Sequence, residues 1–428
     1  MISAGLALVL SFVVTLSLTP WVRRFALSRG VIDEPGGRRV NQQATPRLGG
    51  ISVIIGFFVP LALFAHAKTA LMHDFLIQPK LVLGLVLGSL VVGLVGAIDD
   101  LRGLGPAPKL AAQLVGACIA YAFGYRIEVV SAPFLGELSL GVLGPLATVL
   151  WFLAITNALN LIDGLDGLAG GIAFFTCAAN LAWGLLNNSP VVMLLSTSLA
   201  GALLGFLRYN FYPASIFLGD SGSMFLGFVL AATSIAGATT KSSTAIAILA
   251  PIIALGVPIL DTLLAMVRRT VARRSIFAAD RGHIHHRLLD LGLTHRHVVL
   301  LLHGSSILLA AAATGVTFGR SWQSGAALAL AGSVLFALVR AVSRRQPTAL
   351  RLAAVNQSVH VAPRAISAIS ATSATNLAQR SGTFLARAVS TARSGDAPVI
   401  ELACPSCPPD RPCACGRVTP AQDSDLAV

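Results

Sequence analysis

Apolar residues in this 428-residue chain come in blocks of about twenty, and that block length constrains its fold more than any other feature. A helix rises about 1.5 Å per residue, so roughly twenty residues cross the ~30 Å hydrocarbon layer of a bilayer. The chain is 55% apolar and only 11% charged, with mean hydropathy +0.78, whereas a soluble domain carries about 25% charged residues. The expected fold class is therefore all-α, a polytopic membrane helix bundle. Eleven spans are predicted, at 2–22, 49–66, 80–98, 109–124, 138–156, 167–187, 190–207, 222–238, 244–267, 298–318 and 324–342, of which 109–124 is short.

The first span has no basic leader and no small-residue cleavage site, and "WVRR" follows it, so it reads as an anchor with the N-terminus outside. With that orientation only Lys68, Lys80, Arg126, Lys241 and Arg320 face outward, and the other 26 of 31 Lys and Arg face the cytoplasm. This bias supports N-out, C-in. The net charge of +13 is thus a matter of topology, and no nucleic-acid partner is expected. Residues 1–342 read as a membrane-embedded domain. Residues 343–428, rich in Ala, Ser, Thr, Arg and Pro, read as a cytoplasmic, largely disordered tail. Its Cys404, Cys407, Cys413 and Cys415 leave open a zinc site or an unstructured Pro-rich end. Cys118 and Cys177 read as small apolar fillers.

The polar clusters segregate to one face. "AIDDLRGLGPAPK" (97–109), "NALNLIDGLDGLAGG" (157–171), "RYNFYPASIFLGDSGS" (208–223) and "ADRGHIHHRLLDLGL" (279–293) all fall on the cytoplasmic side. Random solvated loops would not sort this way, whereas an active site at the membrane face would. Asp99 and Asp100 end an apolar helix, where the helix dipole favours cations rather than acids. Two carboxylates there point to a cation or a proton acceptor, with pairing to Arg102 or Lys109 as the plainer reading. Asn157, Asn160, Asp163 and Asp166 are three residues apart, so each is rotated about −60° from the last and the row drifts ~180°. One straight helix cannot converge all four, but Gly164, Gly167, Gly170 and Gly171 allow a bend. Oxygen ligands around such a turn suit Mg²⁺; an ordinary Asn/Asp/Gly turn is the alternative.

Asp220 in "IFLGDSGS" is expected between two small-residue turns. Asp261 lies inside a predicted span and is read either as functional or as a structural ion pair with a neighbouring Arg. His283, His285 and His286 are expected in a loop among arginines, including Arg268, Arg269 and Arg287, which favours a phosphate-binding cluster over a transition-metal site. Acids with hard oxygens beside a basic cluster imply a Mg²⁺-assisted reaction on a phosphate ester at the membrane surface.

Five motifs in order, "DEPGGRRVNQQATPRLGG", "DDLRGLGPAPKLAAQ", "NALNLIDGLDGLAGG", "FLGDSGS" and "ADRGHIHHRL", resemble the polyprenyl-phosphate N-acetylhexosamine-1-phosphate transferases over roughly residues 1–340. The spaced "HIHHRL" is similar to the UDP-GlcNAc:undecaprenyl-phosphate branch rather than the phospho-MurNAc-pentapeptide branch, which has consecutive histidines. The resemblance implies a plasma-membrane enzyme, cytoplasmic at its active face, that moves GlcNAc-1-phosphate from UDP-GlcNAc to a polyprenyl (undecaprenyl) phosphate, releases UMP and starts cell-envelope glycan synthesis. It implies Mg²⁺, with Mn²⁺ as a substitute, and leaves homodimerisation open.

The residue roles it implies are as follows. Asp220 is the main metal ligand and Asn160 the second. Asp99 and Asp100 handle the lipid phosphate, with Asp99 as base, and Lys109 meets the diphosphate. Asp166 and the Gly164–Leu165 backbone read the uracil on which Phe217 stacks. Asn157 and Asp163 line the same pocket, and His283, His285 and His286 hold the nucleotide or sugar phosphate. The family often has His or Lys in the first cytoplasmic loop where this chain has "VNQQ" (40–43), which leaves Arg38, Arg39 and Arg47 as substitutes. Two other readings remain: the same transfer with another UDP-N-acetylhexosamine, and an ion-coupled transporter. A transporter would place its acids near the midplane, and here they lie at one face.

Overall fold

The computed structural model describes residues 2–34, 44–65, 78–132, 136–238, 251–273, 282–318 and 321–343. The expected tail, with its four cysteines, and Arg38, Arg39 and the "VNQQ" segment lie outside the described residues. Residues 1–345 form one compact unit, to which everything below refers.

The described chain is almost entirely helical. Its helices are α1 (Ile2–Ser28), α2 (Gly49–Ala65), α3 (Pro79–Arg102), α4 (Pro106–Ala122), α5 (Gly144–Ile162), α6 (Leu168–Leu186), α7 (Pro190–Asn210), α8 (Gly219–Ala238), α9 (Gly256–Val271), α10 (Ile284–Asp290), α11 (His295–Phe318) and α12 (Ser321–Ser343). Two small antiparallel ribbons join them, β1 (Ile32–Asp33) with β2 (Thr45–Pro46), and β3 (Val129–Ala132) with β4 (Gly136–Ser139). Among the described residues seven helices, α1, α3, α5, α6, α7, α11 and α12, are long and apolar enough to cross a membrane. The chain is a multi-pass membrane helix bundle.

Three expectations need correcting. The span expected at 138–156 is a helix only from Gly144, because β4 occupies Gly136–Ser139 and Pro145 takes a first-turn position, where its missing N–H costs nothing. "GDSG" is not a pair of turns; it is the first turn of α8. The histidines do not sit in a loop: His285 and His286 are on the short helix α10, and His283 is the residue that precedes it.

Helix α8 lies at the centre, packed by α2, α3, α5, α6 and α7. It is buried along nearly its whole length, as an all-round apolar helix must be. Close approach depends on glycine, since helices in lipid associate by backbone packing rather than by exclusion of water. A Cβ on Gly96 of α3 would lie 2.5 Å from the Asp220 carbonyl oxygen, and one on Gly227 of α8 would lie 2.5 Å from Thr156 Cα of α5. Helices α1 and α7 run parallel in the same manner. Gly201 sits against Leu8, Gly205 against Phe12, and the Tyr209 hydroxyl donates to the Leu16 carbonyl at 3.1 Å.

Candidate active site

The α3–α8 crossing resolves the puzzle of two acids at a helix C-terminus. Helix α3 ends against the first turn of α8, so Asp100 lies at the positive end of a second helix dipole. Its carboxylate accepts from the Asp220 N–H (2.8 Å), the Ser221 N–H (3.1 Å) and the Ser221 hydroxyl (2.7 Å). Asp100 thus caps a helix 120 residues downstream and holds Asp220 in place. Gly219, at φ +73°, gives up its side-chain space to that carboxylate. Asp99 accepts from the Leu104 N–H at 2.6 Å, while left-handed Gly103 (φ 66°) closes α3.

Asp220 gathers the neighbouring polar groups. Lys109 Nζ lies 2.7 Å from its Oδ2 and 3.4 Å from Asp99 Oδ2. The Asn160 amide donates to Asp220 Oδ1 (3.0 Å) and to the Ser223 hydroxyl (2.9 Å). Helix α5 stops at Ile162, and the turn 163–167, with Gly167 at φ 76°, leads into α6. This is the bend that the three-residue spacing required. Asp166 accepts from the Ala214 N–H at 2.8 Å, tying that turn to the segment before α8.

A polar cavity of about 300 Å³ opens over these groups. Its walls include the expected residues Arg47, Asp100, Asp163, Gly164, Leu165, Asp166, Phe217, Asp220 and His286. Asp99, Lys109 and Asn160 lie behind Asp220, joined to it directly or through Lys109. Asn157 turns elsewhere and pairs with Gln113 at 2.6 Å. Further polar walls lie outside the expected site residues: Asp33, Asn210 and His295. Asp33 pairs with Arg47 across the β1–β2 ribbon. Asn210 accepts from the Gly167 N–H and donates to the Ile216 carbonyl. Phe217 is fixed by backbone bonds to Pro46 and Gly49, which also bring Arg47 to the rim.

Of the three histidines, only His286 lines the cavity. His283 Nδ1 lies 2.8 Å from Asp261 Oδ2, and Asp261 Oδ1 accepts the Ile284 N–H at 2.7 Å. A carboxylate only accepts, so His283 carries its proton on Nδ1. Among the described residues the buried acid pairs with no arginine and does not line the cavity; it anchors α10. Asp261→Asn, whose amide cannot accept both bonds, should cost about 1–3 kcal/mol locally. The check is hydrogen exchange in 282–290, which should speed up; unchanged protection would remove this role.

His285 is 1% exposed, packed on Gly164 and between the rings of His283 and His286. Burial, then the neighbouring His286, depresses its pKa from 6.5 to about 3. A histidine depressed in the folded state stabilises the fold above its unfolded pKa, and that contribution is lost as pH falls. Between pH 7.5 and 5.5 the loss should be on the order of 1 kcal/mol. The difference in thermal stability between wild type and His285→Gln should narrow over that range; a constant difference would contradict it.

Asp163 is half-buried and takes no hydrogen bond among the described residues. Burial, with the negative charge of Asp220, Asp100 and Asp166, raises its pKa well above the usual carboxylate range. Such a crowd of acids calls for a cation. Among the described residues no three His, Cys, Asp or Glu side chains close on one point.

Known proteins share this arrangement of sequence. The sequence profile of glycosyl transferase family 4 matches residues 82–238, the stretch that carries Asp99 through Asp220. A probable undecaprenyl-phosphate N-acetylglucosaminyl 1-phosphate transferase of Bacillus subtilis (strain 168) is 36% identical over 326 residues, covering 76% of this chain and 88% of that protein. The chain belongs to glycosyl transferase family 4. Within the family, a decaprenyl-phosphate N-acetylglucosaminephosphotransferase of Mycolicibacterium smegmatis is 39% identical, covering 68% of this chain and 76% of that protein. A phospho-N-acetylmuramoyl-pentapeptide-transferase of Shouchella clausii is 31% identical, covering 66% and 88%.

Proposed function

We propose that this family 4 chain transfers GlcNAc-1-phosphate from UDP-GlcNAc to a polyprenyl phosphate and releases UMP. The observation that carries the reading is the cavity walled by Asp220, Asp163, Asp166, Phe217 and His286, on a chain whose relatives are named for this transfer. Mg²⁺, or Mn²⁺ in its place, would be held by Asp220 with Asn160 and would neutralise charge on the diphosphate. Asp166 and the Gly164–Leu165 backbone hold the uracil against Phe217. His286 and Arg47 face the phosphates from the opposite rim.

The lipid phosphate oxygen attacks the sugar-linked phosphorus, the P–O–P bond breaks, and UMP leaves with the bridging oxygen. A phosphate monoester has a second pKa of ~6 and is mostly ionised at neutral pH. No strong base is required, and Asp99 with Lys109 positions the acceptor rather than deprotonating it. We read the domain as eleven spans in the plasma membrane, N-out and C-in, with this cavity at the cytoplasmic face.

Purified protein in detergent, given polyprenyl phosphate, Mg²⁺ and UDP-GlcNAc, should release UMP, and omitting the lipid phosphate should stop it. Release from another UDP-N-acetylhexosamine alone would move the reading to that sugar. No release from any UDP-N-acetylhexosamine would overturn it.

A further inference from the structure

A second cavity, of about 520 Å³, lies between α1, α6, α7 and α11. Its walls are aromatic and aliphatic: Phe12 and Leu16 of α1, Phe174 and Phe175 of α6, and Leu204 and Leu207 of α7. Among the described residues Arg208, in the last turn of α7, is the only arginine or lysine lining it. Arg208 is exposed and makes no hydrogen bond or ion pair among the described residues. All four bounding helices are long and apolar enough to cross a membrane, so the body of the cavity meets hydrocarbon while its mouth carries a free guanidinium.

The acceptor residues are elsewhere. Asp99 and Lys109 belong to α3 and α4, which pack on α2, α5, α8 and each other. The inner wall of the second cavity is instead the start of α6: His303 sits over Gly171, 3.4 Å from the Leu168 carbonyl, with its ring against Phe175 and Phe211. Phe211 in turn fills the space beside Gly167, the residue that ends the turn bearing Asp163 and Asp166. The two cavities therefore lie on either side of one short turn.

An occupant must be apolar along its body and anionic at one end. We propose that this cavity binds an anionic membrane phospholipid, with its phosphate on Arg208 and one acyl chain between α1 and α6. Basic pockets between transmembrane helices hold anionic headgroups through charge and fork-shaped hydrogen bonding. A zwitterionic headgroup brings its own cation to Arg208 and is held less well. The volume lies within the range of small-ligand sites and suits one acyl chain rather than a long prenyl chain. Nothing in this site depends on the transfer reaction, so its failure and that of the proposed function are separate results.

The test is native mass spectrometry of the full chain in detergent, with dioleoylphosphatidylglycerol or dioleoylphosphatidylcholine added at equal concentration. Wild type should retain the glycerol lipid preferentially. Arg208→Gln should lower that adduct about fivefold or more with the choline lipid unchanged, Arg208→Lys should restore part of it, and Leu204→Trp, which fills the groove, should lower both. Equal retention of the two lipids, or a glycerol-lipid adduct as abundant in Arg208→Gln as in wild type, overturns the proposal. Displacement of the glycerol lipid by equimolar polyprenyl phosphate, lost in Arg208→Gln, also overturns it and makes the groove a prenyl site.

Discussion

Asp220→Asn should lower UMP release by on the order of a thousandfold at millimolar Mg²⁺ while leaving the fold intact. Asp220 is where the polar network converges: Lys109, Asn160 and, through the backbone, Asp100 all reach it. An amide keeps the size of the side chain but removes its charge and one anionic oxygen. Metal-assisted stabilisation of a diphosphate transition state is worth several kcal/mol, and each 1.4 kcal/mol is about tenfold in rate. Higher Mg²⁺ should recover part of the activity. Thermal stability should change little, because the Asp100 bonds go to the backbone at 220 and 221 and survive the substitution. Wild-type turnover by this variant would remove Asp220 from the metal site.

Gly96→Leu should be the most damaging change to the fold near the site, at about 3 kcal/mol, and should abolish activity with it. The obstacle is backbone: a Cβ there meets the Asp220 carbonyl oxygen at 2.5 Å and Ser221 Cα at 2.7 Å, and neither can swing aside. Helices α3 and α8 must separate, and the Asp100 cap on α8 and the Lys109 contact to Asp220 separate with them. Gly93, one turn earlier, is the control. Its Cβ would meet the tip of Ile54 at 3.0 Å, a flexible side-chain end, and Phe225 Cδ2 at an ordinary 3.8 Å, so Gly93→Ala should be mild. Thermal unfolding in detergent should show a drop of several degrees for Gly96→Leu and little for Gly93→Ala. Equal stability of the two variants would contradict the close crossing.

What was legible in the sequence follows from local physics. Twenty-residue apolar blocks report spans because bilayer thickness sets their length, and among the described residues seven of the eleven expected spans meet helices long and apolar enough to cross a membrane. Asp163, Asp166 and Asp220 could be picked out because each interrupts an apolar run at a helix end. The bend at 163–167 was legible too, since 100° per residue forbids convergence on one straight helix.

Most of the residues and roles that sequence reasoning misses have partners distant in sequence. Asp100 looked awkward at a C-terminus because the dipole it serves belongs to α8, which only the α3–α8 crossing reveals. Asp33 reaches the cavity through a two-residue ribbon with residues 45–46, too short for any alternation to announce. Asn210, at the end of α7, is overshadowed in its cluster by Asp220, and His295 is a single polar residue at a helix start outside the quoted motifs. His295 had one faint signal, a fourth histidine shortly after the "HIHH" cluster. Asp261 is ambiguous in the sequence because its partners, His283 and the Ile284 N–H, lie 22 and 23 residues onward. The histidine cluster read as one unit, but α10 points its members differently: His286 to the cavity, His283 to Asp261 and His285 into the packing.

Transfer of a sugar phosphate is distinguished from transfer of a sugar by the fate of one phosphorus atom. UDP-GlcNAc labelled at the β-phosphorus should be incubated with the purified chain, polyprenyl phosphate and Mg²⁺, and the lipid and nucleotide products separated. The label should move to the lipid, one lipid-linked GlcNAc diphosphate for each unlabelled UMP. Label retained in the nucleotide as UDP, with GlcNAc on the lipid, would contradict it.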